Sequence, residues 1–183
     1  GLGWLPDGTP LVVAMTERRV YRILGDGLEL YADLSALAPF HCNDMIVDYA
    51  GRAYVGNFGY DPDGGEPQRS TELLLLEGQD QVRAVAGDLV FPNGCAIDPD
   101  GRELIVAETF ANRLTRFDIA ADGSLSNAAL WADLGEATPD GISLDAGGCI
   151  WVASPGTGDV RRVSRGGRVE QTVRAHGSPY ACM

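Results

Sequence analysis

Apolar residues in this chain come in short runs, each interrupted after a few positions by glycine, aspartate, asparagine or proline. No stretch sustains the three-and-four spacing of an amphipathic helix, and only Leu34 to Ala38 suggests a helical turn. Segments such as Arg19–Ile23 and Arg113–Phe117 alternate charged or polar with apolar residues, the pattern of a half-exposed strand. The chain therefore reads as all-β, with many short strands joined by tight turns.

The turns recur. Gly8, Gly51, Gly101 and Gly148 each close an Asp/Gly-rich turn between two apolar runs, at intervals of 43, 50 and 47 residues. Glycine there supplies the positive φ that tight hairpins require. After each hairpin come a third strand (Arg19–Ile23, Glu72–Leu76, Arg113–Phe117, Val160–Val163) and a fourth, for example Ala128–Trp131 and Val169–Val173. A four-stranded unit repeated at this period is the signature of a β-propeller blade. The units run approximately over 1–40, 41–90, 91–137 and 138–176, and a further blade starts at 177–183. Together they form one domain. The period is too long for leucine-rich repeats, and the Trp-Asp and Gly-His marks of WD40 blades are absent.

Composition adds limits. Glycine is abundant, with 24 of 183 residues, and is spread along the chain as the turn pattern requires. A formal charge of −12 makes nucleic acid and anionic membranes poor partners. No apolar run approaches the roughly 20 residues of a membrane span, and no charged-then-apolar run stands at the start of the given sequence, which leaves a secreted precursor open as an alternative. Cys42, Cys95, Cys149 and Cys182 are widely spaced, unlike a zinc site, so reduced thiols in a cytoplasmic protein are the default expectation. His41 beside Cys42 is the one sequence neighbour suited to a catalytic thiol, but a small buried cysteine in a strand is the commoner arrangement. Asp61–Glu66 is carboxylate-rich yet lacks the spaced ligands of an EF-hand, and reads as a long loop. His176 reads as an exposed loop residue.

The positions that open the first strand of successive units hold Asn43, Asn93 and Asp140. First strands line the channel of a propeller, so residues in matching phase would converge there. Amide and carboxylate oxygens suit a hard cation such as Ca²⁺, and the absence of thiolate or imidazole in that phase disfavours zinc and copper. The competing reading is that Asn-Asp, Asn-Gly and Asp-Gly pairs are simply turn formers.

Three segments in order resemble one family: Asn43–Asp44 with Val47–Asp48 and Gly51–Arg52; Phe91–Gly94 with Asp98–Gly101; and Pro139–Gly141 with Leu144–Asp145 and Ile150–Trp151. They are similar to those of the gluconolactonase, regucalcin (senescence marker protein) and luciferin-regenerating enzyme family, and the resemblance covers essentially the whole chain. It implies a six-bladed β-propeller, of which about four blades are present here, with both ends missing. It implies a divalent metal, usually Ca²⁺ although Zn²⁺, Mn²⁺ or Mg²⁺ would also serve, at the mouth of the channel. By the same resemblance Asn93 is a metal ligand, Asp140 is a metal ligand and general base, and Asn43 lies at the metal or contacts substrate. The position two before Asn43, often a sugar-binding arginine in the family, is His41 here, which weighs against an aldonolactone. The family's first-blade glutamate ligand has no counterpart, and Glu17 reads as a solvated turn residue.

The expected function is Ca²⁺-dependent hydrolysis of a lactone or related cyclic ester. Alternatives are a non-catalytic propeller that binds Ca²⁺ or a partner, and phosphotriester hydrolysis on the same metal site. With two blades outside the chain, weak Ca²⁺ affinity and self-association through open strand edges are further expectations.

Overall fold

The computed structural model describes residues 1–183 in full. The chain is all-β apart from one 3₁₀ turn at Thr109–Ala111, and no helix is long and apolar enough to cross a membrane. The one-turn helix falls at 109–111 and not at Leu34–Ala38. There, Leu34 accepts from the Leu37 and Ala38 amides and the chain simply turns.

Four antiparallel sheets of four strands each follow one another along the chain. The first holds β1 (Leu2–Trp4), β2 (Pro10–Ala14), β3 (Arg19–Leu24) and β4 (Gly27–Asp33). The second holds β5 (Cys42–Val47), β6 (Ala53–Asn57), β7 (Thr71–Leu76) and β8 (Val82–Leu89). The third holds β9 (Pro92–Ile97), β10 (Glu103–Glu108), β11 (Arg113–Ile119) and β12 (Leu125–Asp133). The fourth holds β13 (Ile142–Leu144), β14 (Ile150–Ser154), β15 (Asp159–Val163) and β16 (Val169–Arg174). Strand order equals chain order in every sheet, as in four blades of a β-propeller.

The turn between the first two strands of each blade has a common chemistry. Gly8, Gly51, Gly101 and Gly148 sit at φ 86°, 83°, 68° and 77°, and each amide donates to the carbonyl three residues before it. In three blades that preceding residue is an aspartate whose Oδ1 also accepts backbone amides. Asp48 takes those of Ala50 and Arg52, Asp98 those of Arg102 and Glu103, and Asp145 those of Gly147 and Cys149. The carboxylate thus stands in for backbone partners that the tight turn cannot provide. In the first blade Leu5 holds that place, and Asp7 accepts the Thr9 amide instead. The acidic residues of the repeat are therefore partly structural. The Arg162 guanidinium and these amides hold the Asp145 carboxyl below its usual range.

The chain divides into two compact units, Gly1–Pro92 with Asp122–Ser124, and Asn93–Ala121 with Leu125–Met183. The first encloses a core of Leu11, Val13 and Val20 with Ala53, Val55, Leu74 and Leu76. The second encloses Ile105, Ala107, Leu114 and Trp131 with Ile150, Val152 and Val163. The outermost strands are more exposed, β16 along its whole length. A register shift interrupts the pairing of third and fourth strands in every blade. Such bulges bend the outer strand and make it a poorer template for further pairing.

All four cysteines are free thiols. Cys42, Cys95 and Cys149 are buried and Cys182 is half-buried. Burial pushes the Cys42 thiol up to about 12, which removes it as a nucleophile with His41. Burial raises Cys182 as well.

Two predictions follow from these cores. Leu74→Ala, at a fully buried position, lowers the urea unfolding free energy by about 2–5 kcal/mol, while Leu28→Ala, at a position 63% exposed, changes it by less than about 0.5 kcal/mol. Iodoacetamide at pH 8 leaves Cys42, Cys95 and Cys149 unmodified in the folded protein by mass spectrometry, and labels all four cysteines in urea.

Candidate functional site

In the second unit, Asn93 is the second residue of β9 and is 3% exposed. Its Nδ2 donates to Thr109 Oγ1 at 3.2 Å, and Thr109 Oγ1 donates to the Pro139 carbonyl at 2.7 Å. Its Oδ1 is buried with no hydrogen-bond partner. An orphaned buried acceptor costs about 1–3 kcal/mol, so it is rarely retained without a use.

Asp140 stands in the extended segment just ahead of β13 and is half-buried. Its amide donates to the Ala153 carbonyl at 2.9 Å, and its carbonyl accepts the Gly94 amide at 3.1 Å. The backbones of the Pro-Asn-Gly and Pro-Asp-Gly motifs are thus directly bonded. The approach is close enough to require glycine. A Cβ on Gly94 would lie 2.5 Å from the Asp140 carbonyl oxygen and 2.6 Å from the Ile142 nitrogen. Gly141 is equally confined, because a Cβ there would lie 2.8 Å from the Tyr180 carbonyl oxygen. These two glycines let neighbouring chains pack backbone to backbone and bring Asn93 and Asp140 into one neighbourhood.

The loop that carries Thr109 is itself anchored. Asn112, in the left-handed conformation at φ 53°, ends the 3₁₀ turn and donates Nδ2 to the Ala137 carbonyl at 2.7 Å. Glu108, fully buried, is held by Arg113 Nε and Nη2 at 2.7 and 3.0 Å and by the Thr115 hydroxyl. These partners occupy both carboxylate oxygens, so Glu108 is a structural ion pair and does not supply the glutamate missing from the first blade. Sequence reasoning passed over Thr109, Asn112 and Glu108. The short Glu108–Thr109 pair at the end of a strand carries no signal until the loop partners are known.

In the first unit, Asn43 is 8% exposed and donates Nδ2 to the Pro92 carbonyl at 3.3 Å. Pairing of β5 with β6 passes from Cys42 opposite Asn57 to Met45 opposite Val55, which leaves one extra residue at Asn43–Asp44. Such a bulge re-aims a side chain and is common beside functional sites. His41, just before it, stacks on Phe40 at 3.9 Å and meets Phe58 edge-on at 5.8 Å. Phe58 stacks on Phe91 at 4.2 Å, and Tyr60 meets Phe91 at 6.3 Å. Phe91 holds this place at φ 53°, a conformation a bulky residue adopts only at a cost. His41 is therefore part of an aromatic group, which its sequence position alone did not reveal.

Residues set aside on the sequence occupy ordinary places. Glu17 is exposed and accepts the Tyr21 hydroxyl at 2.6 Å, and His176 is exposed. In the 61–66 loop, Asp61 Oδ1 accepts the Gly64 amide, while Glu66 Oε2 accepts the Asp61 amide and pairs with Arg69. These carboxylates close their own turn. No three His, Cys, Asp or Glu side chains gather into a metal-holding group. A cation site here would lean on amide oxygen, and the orphaned Oδ1 of Asn93 is a donor of the kind a hard, oxygen-seeking cation takes.

A family model described as the SMP-30/Gluconolactonase/LRE-like region matches residues 1–183. The 6-deoxy-6-sulfogluconolactonase of Pseudomonas putida is 30% identical over 137 residues, which cover 72% of this chain and 45% of that protein. The pentonolactonase of Haloferax volcanii is 29% identical over 150 residues, covering 80% and 49%. The chain thus spans about half the length of these curated relatives. A gluconolactonase structure from Xanthomonas campestris superposes with a TM-score of 0.81 at 23% identity, over 100% of this chain and 64% of that one, and so shares its fold. Four propeller blades in series and a family match from the first residue to the last place this chain in the SMP-30/gluconolactonase/LRE-like family.

Proposed function

We propose that this chain carries part of the active site of a Ca²⁺-dependent lactonase. The observation that carries the reading is the buried, unpartnered Oδ1 of Asn93, fixed beside the Asp140 segment. Asn93 and Asp140 would hold the cation. Asn43 keeps the metal or substrate role that the family motif implies. When bound, Ca²⁺ supplies a Lewis acid that polarises the lactone carbonyl.

The chain's own residues do the rest. The Asp140 carboxylate takes a proton from the attacking water as its oxygen bonds to the carbonyl carbon. The ring C–O bond then breaks, and the same proton passes to the departing alkoxide, giving a hydroxy acid. By the family motif, Asn43 would donate its side-chain amide to the carbonyl oxygen as charge builds on it. The enzyme reading is supported by the two relatives named as lactonases.

The family motif gives His41 a part in substrate binding, and its ring neighbours suggest the class of substrate. His41 stands where many family members carry a sugar-binding arginine, and its ring stacks on Phe40 and meets Phe58 edge-on. Such surroundings favour lactones with an apolar or aryl face over polyhydroxylated ones.

Two outcomes are expected in a pH-stat assay of the full-length protein over a lactone panel. EDTA abolishes hydrolysis and Ca²⁺ restores it, while Asp140→Asn lowers kcat by roughly 10²–10⁴; undiminished turnover under either change overturns the reading. His41→Arg raises kcat/KM for glucono-1,5-lactone relative to dihydrocoumarin by about tenfold or more. An unchanged ratio removes His41 from substrate selection.

A further inference from the structure

The candidate donor Asn93 is useful to a cation only if its amide oxygen, and not its nitrogen, faces the site. We propose that Thr109 sets this orientation and is the positioning residue of Asn93. The inference rests on the metal-site reading above and extends it to a residue outside the three segments that carry the family resemblance.

Thr109 Oγ1 carries a single hydrogen, and the Pro139 carbonyl 2.7 Å away can only accept. The hydroxyl therefore spends its proton on Pro139. Only its lone pairs remain for Asn93, so the Asn93 atom at 3.2 Å must be the Nδ2 donor. The opposite amide orientation would set Oδ1 against an oxygen lone pair and turn the NH₂ toward the cation. Both contacts are repulsive. The bond to Thr109 thus commits Oδ1 to the side where the protein supplies no partner. Thr109 is itself 6% exposed, and its branched side chain has few rotamers, which holds the hydroxyl in place.

The same hydroxyl ties the two motifs together. Pro139 immediately precedes Asp140, so one side chain bonds the amide of one candidate donor and the backbone leading into the other. The Asn112 bond to Ala137 and the Leu134 amide bond to Asn112 fix the loop on its other side. The orientation of Asn93 and the position of the Asp140 segment are therefore coupled through Thr109, which makes it an outer partner of the kind that tunes metal affinity.

A purely structural threonine would stitch the loops without affecting the amide, and two measurements separate these cases. Thr109→Val keeps the shape and removes the hydroxyl, while Thr109→Ser keeps the hydroxyl. In metal-free protein, the Asn93 side-chain NH₂ resonances are expected to be slow in hydrogen exchange for wild type and Thr109→Ser. In Thr109→Val they should exchange as fast as exposed asparagines. Calorimetric titration with CaCl₂ alone is expected to show affinity lowered about 10–100-fold in Thr109→Val and changed less than about threefold in Thr109→Ser. A folded Thr109→Val with unchanged Asn93 exchange and unchanged Ca²⁺ affinity overturns the proposal. These measurements use the full-length protein; if it takes up no Ca²⁺, the lactonase reading falls, yet the exchange measurement still decides whether Thr109 orients Asn93. Should Thr109→Val not fold, the wild-type spectrum alone decides. Protected Asn93 NH₂ protons with cross-relaxation to the Thr109 methyl support the proposal, and rapid exchange overturns it.

Discussion

Each blade depends on a hairpin in which an Asp/Gly turn reverses the chain within four or five residues. The glycine accepts a left-handed φ at little steric cost, and in three blades the aspartate carboxylate collects amides that would otherwise face the turn unpaired. With the turn fixed, the register of the first two strands is fixed, and with it the face that each side chain occupies. The cores of both units follow from that register. Leu74 and Leu76, or Leu114 and Ile105, reach the interior because the hairpins before them cannot slip. A surface rich in acidic residues is compatible with this design, since several of those carboxylates are engaged with backbone or arginine.

The candidate site exploits the same economy of backbone. Gly94 and Gly141 carry no side chain, so extended segments approach until their amides and carbonyls bond directly. What remains exposed to chemistry is then a small number of polar atoms whose neighbours are already fixed. Asn93 illustrates the consequence. One half of its amide is satisfied by Thr109 and the other half is withheld from every protein donor. Apolar packing alone would not tolerate such an atom. Glu108 is the contrasting case. It is an acidic side chain in an adjacent position, also buried, but saturated by Arg113 and Thr115. Burial of a polar group is therefore uninformative until its partners are counted.

In the first unit the aromatic group around His41 is assembled from separate stretches, 40–41, 58–60 and 91, brought together by the β5 bulge and by the unusual backbone of Phe91. Asn43 lies next to it through the Pro92 carbonyl. The setting is apolar on one side and hydrogen-bonding on the other.

The all-β class and the four-stranded blade were legible in the sequence, because turn chemistry and strand alternation are local and repeat with the blade. The family motifs were legible for the same reason: each is a contiguous run around one of those turns. Thr109, Asn112, Phe58 and the saturation of Glu108 were not legible, since their meaning lies in partners far along the chain, such as Pro139 for Thr109 and Phe91 for Phe58. The sequence by itself determined which residues could donate oxygen. Only the tertiary structure decided which oxygen is left unpaired, because hydrogen-bond satisfaction depends on the neighbours that folding supplies.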